Sequence, residues 1–133
     1  MIKKIKDWFS KNETEEVEHI LPKVEKTAFV LKIDEVEVGE LRCENGQWEF
    51  SYSDQFKNLH SRDYNHITGF PELDKVYKKD TLWPFFLIRI PGLKQPAIKE
   101  IIEKENIDTG NEAALLKRFG HKSISNPYEL IAC

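Results

Sequence analysis

From Thr27 onward, apolar and polar residues alternate with period two. Phe29, Leu31 and Ile33 share one face of the first run. After Asp34-Glu35, Val36 and Val38 alternate with Glu37 and Glu40. After Asn45-Gly46, Trp48, Phe50 and Tyr52 alternate with Gln47, Glu49 and Ser51. Strict alternation is what a strand with one buried face requires. Asn and Gly both tolerate positive φ, so Asn45-Gly46 marks a tight hairpin. Three antiparallel strands in a meander follow, with Trp48 on the buried face as a core residue rather than a ligand platform.

Beyond Tyr52 the period changes. Ser53-Asp54 can cap a short helical turn through Phe56 and Leu59. His66 to Phe70 reads as a further strand ended by Pro71, and Leu73, Val76 and Tyr77 suit a short apolar edge. The densest apolar stretch runs from Leu82 to Gly92, where Pro84 fits the first turn of a short helix and Pro91-Gly92 stops it. Pro96 starts a second helix with Ile98, Ile101 and Ile102 inward. Asp108 or Thr109 caps a third, with Ala113, Leu116 and Phe119 inward and Gly120 as its stop. Ser123 to Ile131 reads as an extended return strand broken at Asn126-Pro127. The expected fold is α+β: a small twisted antiparallel sheet with three short helices gathered on one side.

Ahead of this domain, Ile2, Ile5, Trp8 and Phe9 recur at helical spacing and predict a short amphipathic helix. Glu13, Glu15, Glu16 and Glu18 make the next stretch acidic, and Pro22 interrupts it. Residues 1–26 therefore read as an appendage and residues 27–133 as the domain. The stripe is too apolar to stay solvated on an arm, since each buried side chain of this kind is worth about 1.5–3 kcal/mol. It is expected to dock on its own domain, on a second copy as a homodimer contact, or on a partner.

Composition narrows the function. The 133 residues carry 20 Lys and Arg against 23 Asp and Glu, a net charge of −3, which disfavours a surface built wholly to grip phosphate. Cys43 and Cys133 lie in no metal-binding spacing, so free thiols in a reducing cytoplasm are expected, with no metal. The N-terminus has no long apolar stretch behind its charges, and Leu82 to Ile88 is far shorter than the about 20 residues a membrane span needs. A cytoplasmic protein without a membrane partner is expected.

Catalytic signatures are missing. The six glycines are scattered as turns and caps rather than gathered in a phosphate loop. There is no G-x-S-x-G elbow, no H-E-x-x-H pair, no H-R-D catalytic loop and no D-F-G aspartate. His19, His60, His66 and His121 stand far apart. The residues read as a binding module, not an enzyme, with no catalytic residues and no cofactor.

Three segments carry a family resemblance. Val38-Gly39-Glu40-Leu41 with Trp48-Glu49-Phe50-Ser51-Tyr52 resembles the "vGxL…xFxYxxxf" opening of the HipA N-terminal subdomain. Trp83 to Pro91 resembles its "PFFxxxxP" segment. Leu115 to Gly120 followed by Asn126-Pro127-Tyr128-Glu129-Leu130 is similar to the closing helix and "NPFEL" tail of some members. In order and spacing these cover about residues 27 to 131.

The resemblance implies a non-catalytic subdomain of a bacterial serine/threonine kinase toxin. Here the chain stops at Cys133, where a kinase core would begin, so the sequence resembles a stand-alone, HipS-like antitoxin of a split system. Its implied partner is a HipA- or HipT-like kinase, which it binds and inhibits or completes, beside a HipB-like helix-turn-helix DNA-binding protein. Aromatics and arginine dominate interface hot spots, so Trp83, Phe85, Phe86 and Arg89 are the candidate partner-binding residues, with Trp83 expected to be exposed. The competing class is a nucleic-acid accessory module using Lys75, Lys78, Lys79, Arg89 and Lys94 as a patch.

Overall fold

The structure is a computed structural model that describes residues 21–63, 65–124 and 126–133, without the side chains of residues 60–63. The expected amphipathic helix at the N-terminus lies outside the described residues. Within them, strands β1 (Thr27–Ile33), β2 (Val36–Glu44) and β3 (Gln47–Tyr52) form the meander that the alternation predicts. Helix α1 (Asp54–Asp63) follows, then β4 (Tyr77–Lys79), α2 (Pro84–Leu87), α3 (Pro96–Glu105), α4 (Glu112–Phe119) and β5 (Glu129–Ala132). The protein is α+β, with a five-stranded antiparallel sheet in the order β4-β3-β2-β1-β5.

Two tight turns set the register. Asn45 and Gly46 take φ of 55° and 77°, and Asp34 and Glu35 take 48° and 74°, so both hairpins turn through two left-handed residues. That geometry matches the right-handed twist of the strands. Leu31 pairs with Gly39 while Lys32 pairs with Glu37, so Val38 is the extra residue of a β-bulge. The bulge explains why Val38 and Gly39 are both buried where strict alternation would expose one. A Cβ at Gly39 would stand 2.5 Å from the Ser51 carbonyl oxygen and 2.9 Å from the Phe50 ring, so no larger residue fits there without a shift of the adjacent strand β3.

One face of the sheet builds the core. Phe29, Leu31, Leu41, Cys43, Trp48 and Phe50 are closed to solvent and pack with Phe56 of α1, Phe86 of α2, and Leu115 and Leu116 of α4. Helices α1, α2 and α4 thus pack on that face; the described residues hold four helices where three were expected, and α3 adds no residue to the core cluster. Details differ from the sequence reading. The Ser53 turn grows into a ten-residue helix, because the Ser53 hydroxyl both donates to the Glu37 carbonyl and accepts from the Phe56 N–H at 3.1 Å. Residues 66–70 form a turn, not a strand, and β4 comes later, at Tyr77–Lys79. The cap of α4 is Asn111, whose side chain accepts from Ala114, rather than Asp108 or Thr109. Only Glu129–Ala132 of the expected return strand is regular. The three inward isoleucines of α3 are merely half-buried.

The N-terminal edge of the described chain is tied to α4. Leu21 packs against the core, and the Asn111 amide donates to Glu25 at 2.9 Å. Glu25 also accepts from the Thr27 hydroxyl, and these two bonds hold its carboxyl below the usual carboxylate range.

A buried polar pair joins sheet to helix. Trp48 donates its indole N–H to Glu112 at 2.7 Å, and Glu112 is only 2% exposed. Burial raises its carboxyl pKa, opposed by the bonds from Trp48 and the Leu82 amide. A carboxyl with a raised folded-state pKa contributes most stability below about pH 4.5, where both states are neutral, and loses it as pH rises through the folded value. The stability of the natural chain relative to Glu112→Gln should therefore fall as pH rises above 4.5, measured by denaturant titration at several pH values. A relative gain in that direction would contradict the assignment. Separately, Gly39→Ala should lose about 1–3 kcal/mol by overpacking, read from the same titration at neutral pH.

Candidate functional site: an apolar cleft over the first short helix of the closing half

The segment from Leu82 to Pro91 is so apolar that it cannot all face inward from one short turn of helix. Pro84 occupies the first helical position, where its missing N–H costs nothing, and Trp83 stands at the N-cap with extended backbone. Four helical residues then alternate sharply in burial. Phe86 is closed to solvent and Phe85 half-buried, while Ile88, just past the end, is 59% exposed. Trp83 is half-buried and meets the Phe70 ring edge-on, with centroids 5.2 Å apart.

Trp83, Pro84, Phe85 and Ile88 make one wall of a cleft of about 370 Å³. The turn Thr68-Gly69-Phe70 makes the opposite wall, and Asn126 closes the rim. The lining is almost wholly carbon.

Each wall is held by a buried polar anchor. Tyr52, at the end of β3, donates its hydroxyl to the Phe70 carbonyl at 2.6 Å and accepts from the Ile67 amide at 3.0 Å. That pins the 67–70 turn from below, and burial pushes the Tyr52 phenol up to about 12. It stays a neutral donor throughout the working range. Gly69, with φ of 98°, gives the turn its left-handed residue.

Arg89 anchors the other side. Its guanidinium is 4% exposed and donates to the Gly120 carbonyl at 2.9 Å, the His121 carbonyl at 3.3 Å, Asn126 Oδ1 at 3.1 Å and the Tyr128 carbonyl at 2.8 Å. All four acceptors are neutral, and burial lowers the guanidinium pKa. The Nε atom has no hydrogen-bond partner. A guanidinium stays charged in such a setting because its unperturbed pKa lies above 12. Asn126 Oδ1 also accepts from the Tyr128 amide at 3.1 Å, so the rim residue is fixed twice. The Phe85 ring sits between Phe86 and Tyr128, at centroid distances of 5.0 and 5.5 Å.

The four residues singled out from the sequence thus come together, with different placements. Trp83 and Phe85 line the cleft. Phe86 and Arg89 lie beneath it, out of reach of a partner on this surface, and hold the two liners in place. Ile88, Phe70, Gly69 and Asn126 were not singled out. Ile88 is legible afterwards as the outward residue between inward Phe86 and Arg89, whereas no local pattern announces that residues 68–70 lie across from Trp83. The basic patch loses Arg89 to the interior. Of its lysines, Lys75 sits over the Tyr77 ring at 5.0 Å and Lys78 stands beside the ion pair of Arg42 and Glu49, 3.2 Å long, on the open sheet face.

Cys43 is buried and Cys133 exposed, both as free thiols, and burial pushes the Cys43 thiol up. Among the described residues no three His, Cys, Asp or Glu side chains gather in a way that could hold a metal ion. Among them, too, no helix is long and apolar enough to cross a membrane. No protein-family model matches the chain, and no curated protein matches it.

Removing the guanidinium should disorder the site through its carbonyls. Arg89→Ala leaves several buried acceptors dry, at about 1–3 kcal/mol each. A loss of at least about 3 kcal/mol is expected by chemical denaturation. Arg89→Lys should recover only a minor part, because an ammonium cannot span four acceptors in a planar fork. A near-neutral Arg89→Ala would show that the clamp is dispensable.

Proposed function

We propose that the chain is a non-catalytic binding protein of the HipA N-terminal-subdomain type, an antitoxin that docks on a HipA- or HipT-like serine/threonine kinase core and inhibits or completes it. The observation that carries this reading is the apolar cleft. It is built by the same Trp83 to Pro91 segment that resembles the family's aromatic motif. Its lining also includes Asn126, the first residue of the Asn-Pro-Tyr-Glu-Leu tail that forms the third point of resemblance. A groove of aromatic and aliphatic side chains, rigidly backed by buried hydrogen bonds, suits a protein partner that inserts a bulky apolar side chain.

The chemistry favours a protein over nucleic acid. The cleft offers carbon rather than cations, and Arg89 spends its donors on carbonyls inside the fold. An interface anchored this way keeps its affinity between low and moderate salt, whereas a phosphate-driven complex weakens steeply.

The test is a pull-down and calorimetric titration with a purified HipA-type kinase core that lacks its own N-terminal subdomain. Ile88→Glu changes an exposed residue, so the fold should survive while affinity falls by about 10- to 100-fold, a cost of about 1.4–2.8 kcal/mol. Full affinity in Ile88→Glu, or a binding constant that collapses with moderate salt, would overturn the cleft as the docking surface.

A further inference from the structure

The walls of the cleft are apolar, yet its free polar groups are one-sided. Asn126 Oδ1 accepts from the Arg89 guanidinium at 3.1 Å and from the Tyr128 amide at 3.1 Å. Two donors on one side of the carboxamide fix its orientation, because only the oxygen can accept. The NH2 group is thereby turned away from the buried clamp, at the rim that Asn126 closes. Among the described residues nothing accepts from Asn126 Nδ2, and nothing accepts from Trp83 Nε1 on the adjoining wall. Neither nitrogen is sealed from solvent. Each is a donor held ready at the cleft.

Carbonyls around the same cleft are already engaged. Trp83 O accepts from the Phe86 and Leu87 amides at 3.0 and 2.9 Å, Pro84 O from Ile88 at 3.1 Å, and Phe70 O from the Tyr52 hydroxyl at 2.6 Å. The Thr68 hydroxyl, which can donate or accept, sits on the exposed edge of the other wall. A ligand that brings N–H groups into the cleft meets carbon and occupied acceptors, and those groups lose water without replacement. A ligand rich in carbonyls and poor in N–H groups meets the two donors instead. Proline-rich chain has this composition, since each proline lacks the N–H and keeps its carbonyl. In polyproline II form those carbonyls have no internal partner. Its rings suit aromatic walls, here Trp83 and Phe85 on one side and Phe70 on the other. The helix is preformed, so docking orders little that was free. Gly69 leaves room on the second wall, where a Cβ would meet nothing within 4 Å.

We propose that the cleft binds a proline-rich segment of the partner in polyproline II form. Trp83 Nε1–H and the Asn126 NH2 group donate to two of its carbonyls, and the rings of Trp83, Phe85 and Phe70 pack against its pyrrolidines. This rests on the cleft being the docking surface proposed above, and adds the chemistry of what docks there. At about 370 Å³ the cleft is near the small end of ligand pockets, which run from about 300 to 1,000 Å³. It suits a short stretch, about one turn of three residues rising about 9 Å.

The test titrates the full-length, isotope-labelled protein with capped decaproline and with a capped leucine-alanine helical peptide of equal length. Decaproline should shift the Trp83 indole N–H, the Asn126 side-chain amide and the Gly69 amide in one saturable process. Glu40 and Ser51 on the open sheet face should stay unmoved. Trp83→Phe keeps a ring and removes the indole donor. Asn126→Asp keeps acceptor oxygens for Arg89 and Tyr128 and removes the NH2 donors. Each should weaken decaproline binding about tenfold, the worth of one good hydrogen bond. The indole and carboxamide shifts of the natural chain need no variant to fold. Absent shifts with decaproline, equal binding of the helical peptide, or undiminished affinity in both variants would each overturn the proposal. Its failure is separable from that of the antitoxin reading. A HipA-type kinase core that binds and is not displaced by decaproline overturns the ligand chemistry and leaves the partner. Decaproline binding as described, with no kinase core binding, upholds the ligand chemistry and overturns the partner.

Discussion

A single guanidinium decides the shape of the closing half of this protein. Arg89 emerges from the end of a four-residue helix and is almost sealed from water. Burying a cation without a carboxylate is costly unless its donors are all well used. Arg89 offsets most of that cost through its two terminal nitrogens, Nε being left unpaired, by collecting acceptors that are distant in sequence: the carbonyls that end α4, the side chain of Asn126 and the carbonyl of Tyr128. These groups cannot be gathered unless α2, the end of α4 and the approach to β5 lie together. Among the described residues from 120 to 128 none lies in a helix or strand, so the charge organises what backbone ladders do not.

The rest of the site follows from that gathering. With Asn126 and Tyr128 fixed, Phe85 is held between Tyr128 and Phe86, and Trp83 is turned against Phe70. Tyr52 provides the matching anchor from the sheet, tying the 67–70 turn to the end of β3. The cleft is thus a gap between two polar-anchored walls over an aromatic core. Its walls are set before any partner arrives, which lowers the ordering cost of binding. The Trp48–Glu112 bond does comparable work at the other end of α4, orienting that helix on the sheet.

Much of the fold was legible in the sequence because its signals are local. Period-two alternation and Asn45-Gly46 suffice for the meander, Pro84 and Pro96 for two helix starts, and Gly120 for a helix end. The failures have physical causes. Val38-Gly39 breaks the alternation through a bulge that only the register reveals. Residues 66–70 have strand-like composition, yet the Tyr52 hydroxyl takes the Ile67 amide and the Phe70 carbonyl that a ladder would need. At the site, aromatic density pointed to the right segment but not to which side chains reach the surface. Arg89 looks like a hot spot in sequence and is a structural clamp in space, since its acceptors lie 31 to 39 residues away.

Native-state hydrogen exchange tests this account at its centre. If the guanidinium binds α2 to the closing segment, the amides of Ile90 and Leu130 belong to one cooperative unit. They should then open with the same free energy and the same dependence on denaturant, although no strand ladder connects them. Leu130 exchanging through a separate, low-energy opening while Ile90 stays protected would show that the closing segment is held by its strand pairing alone, and that the buried charge does not organise it.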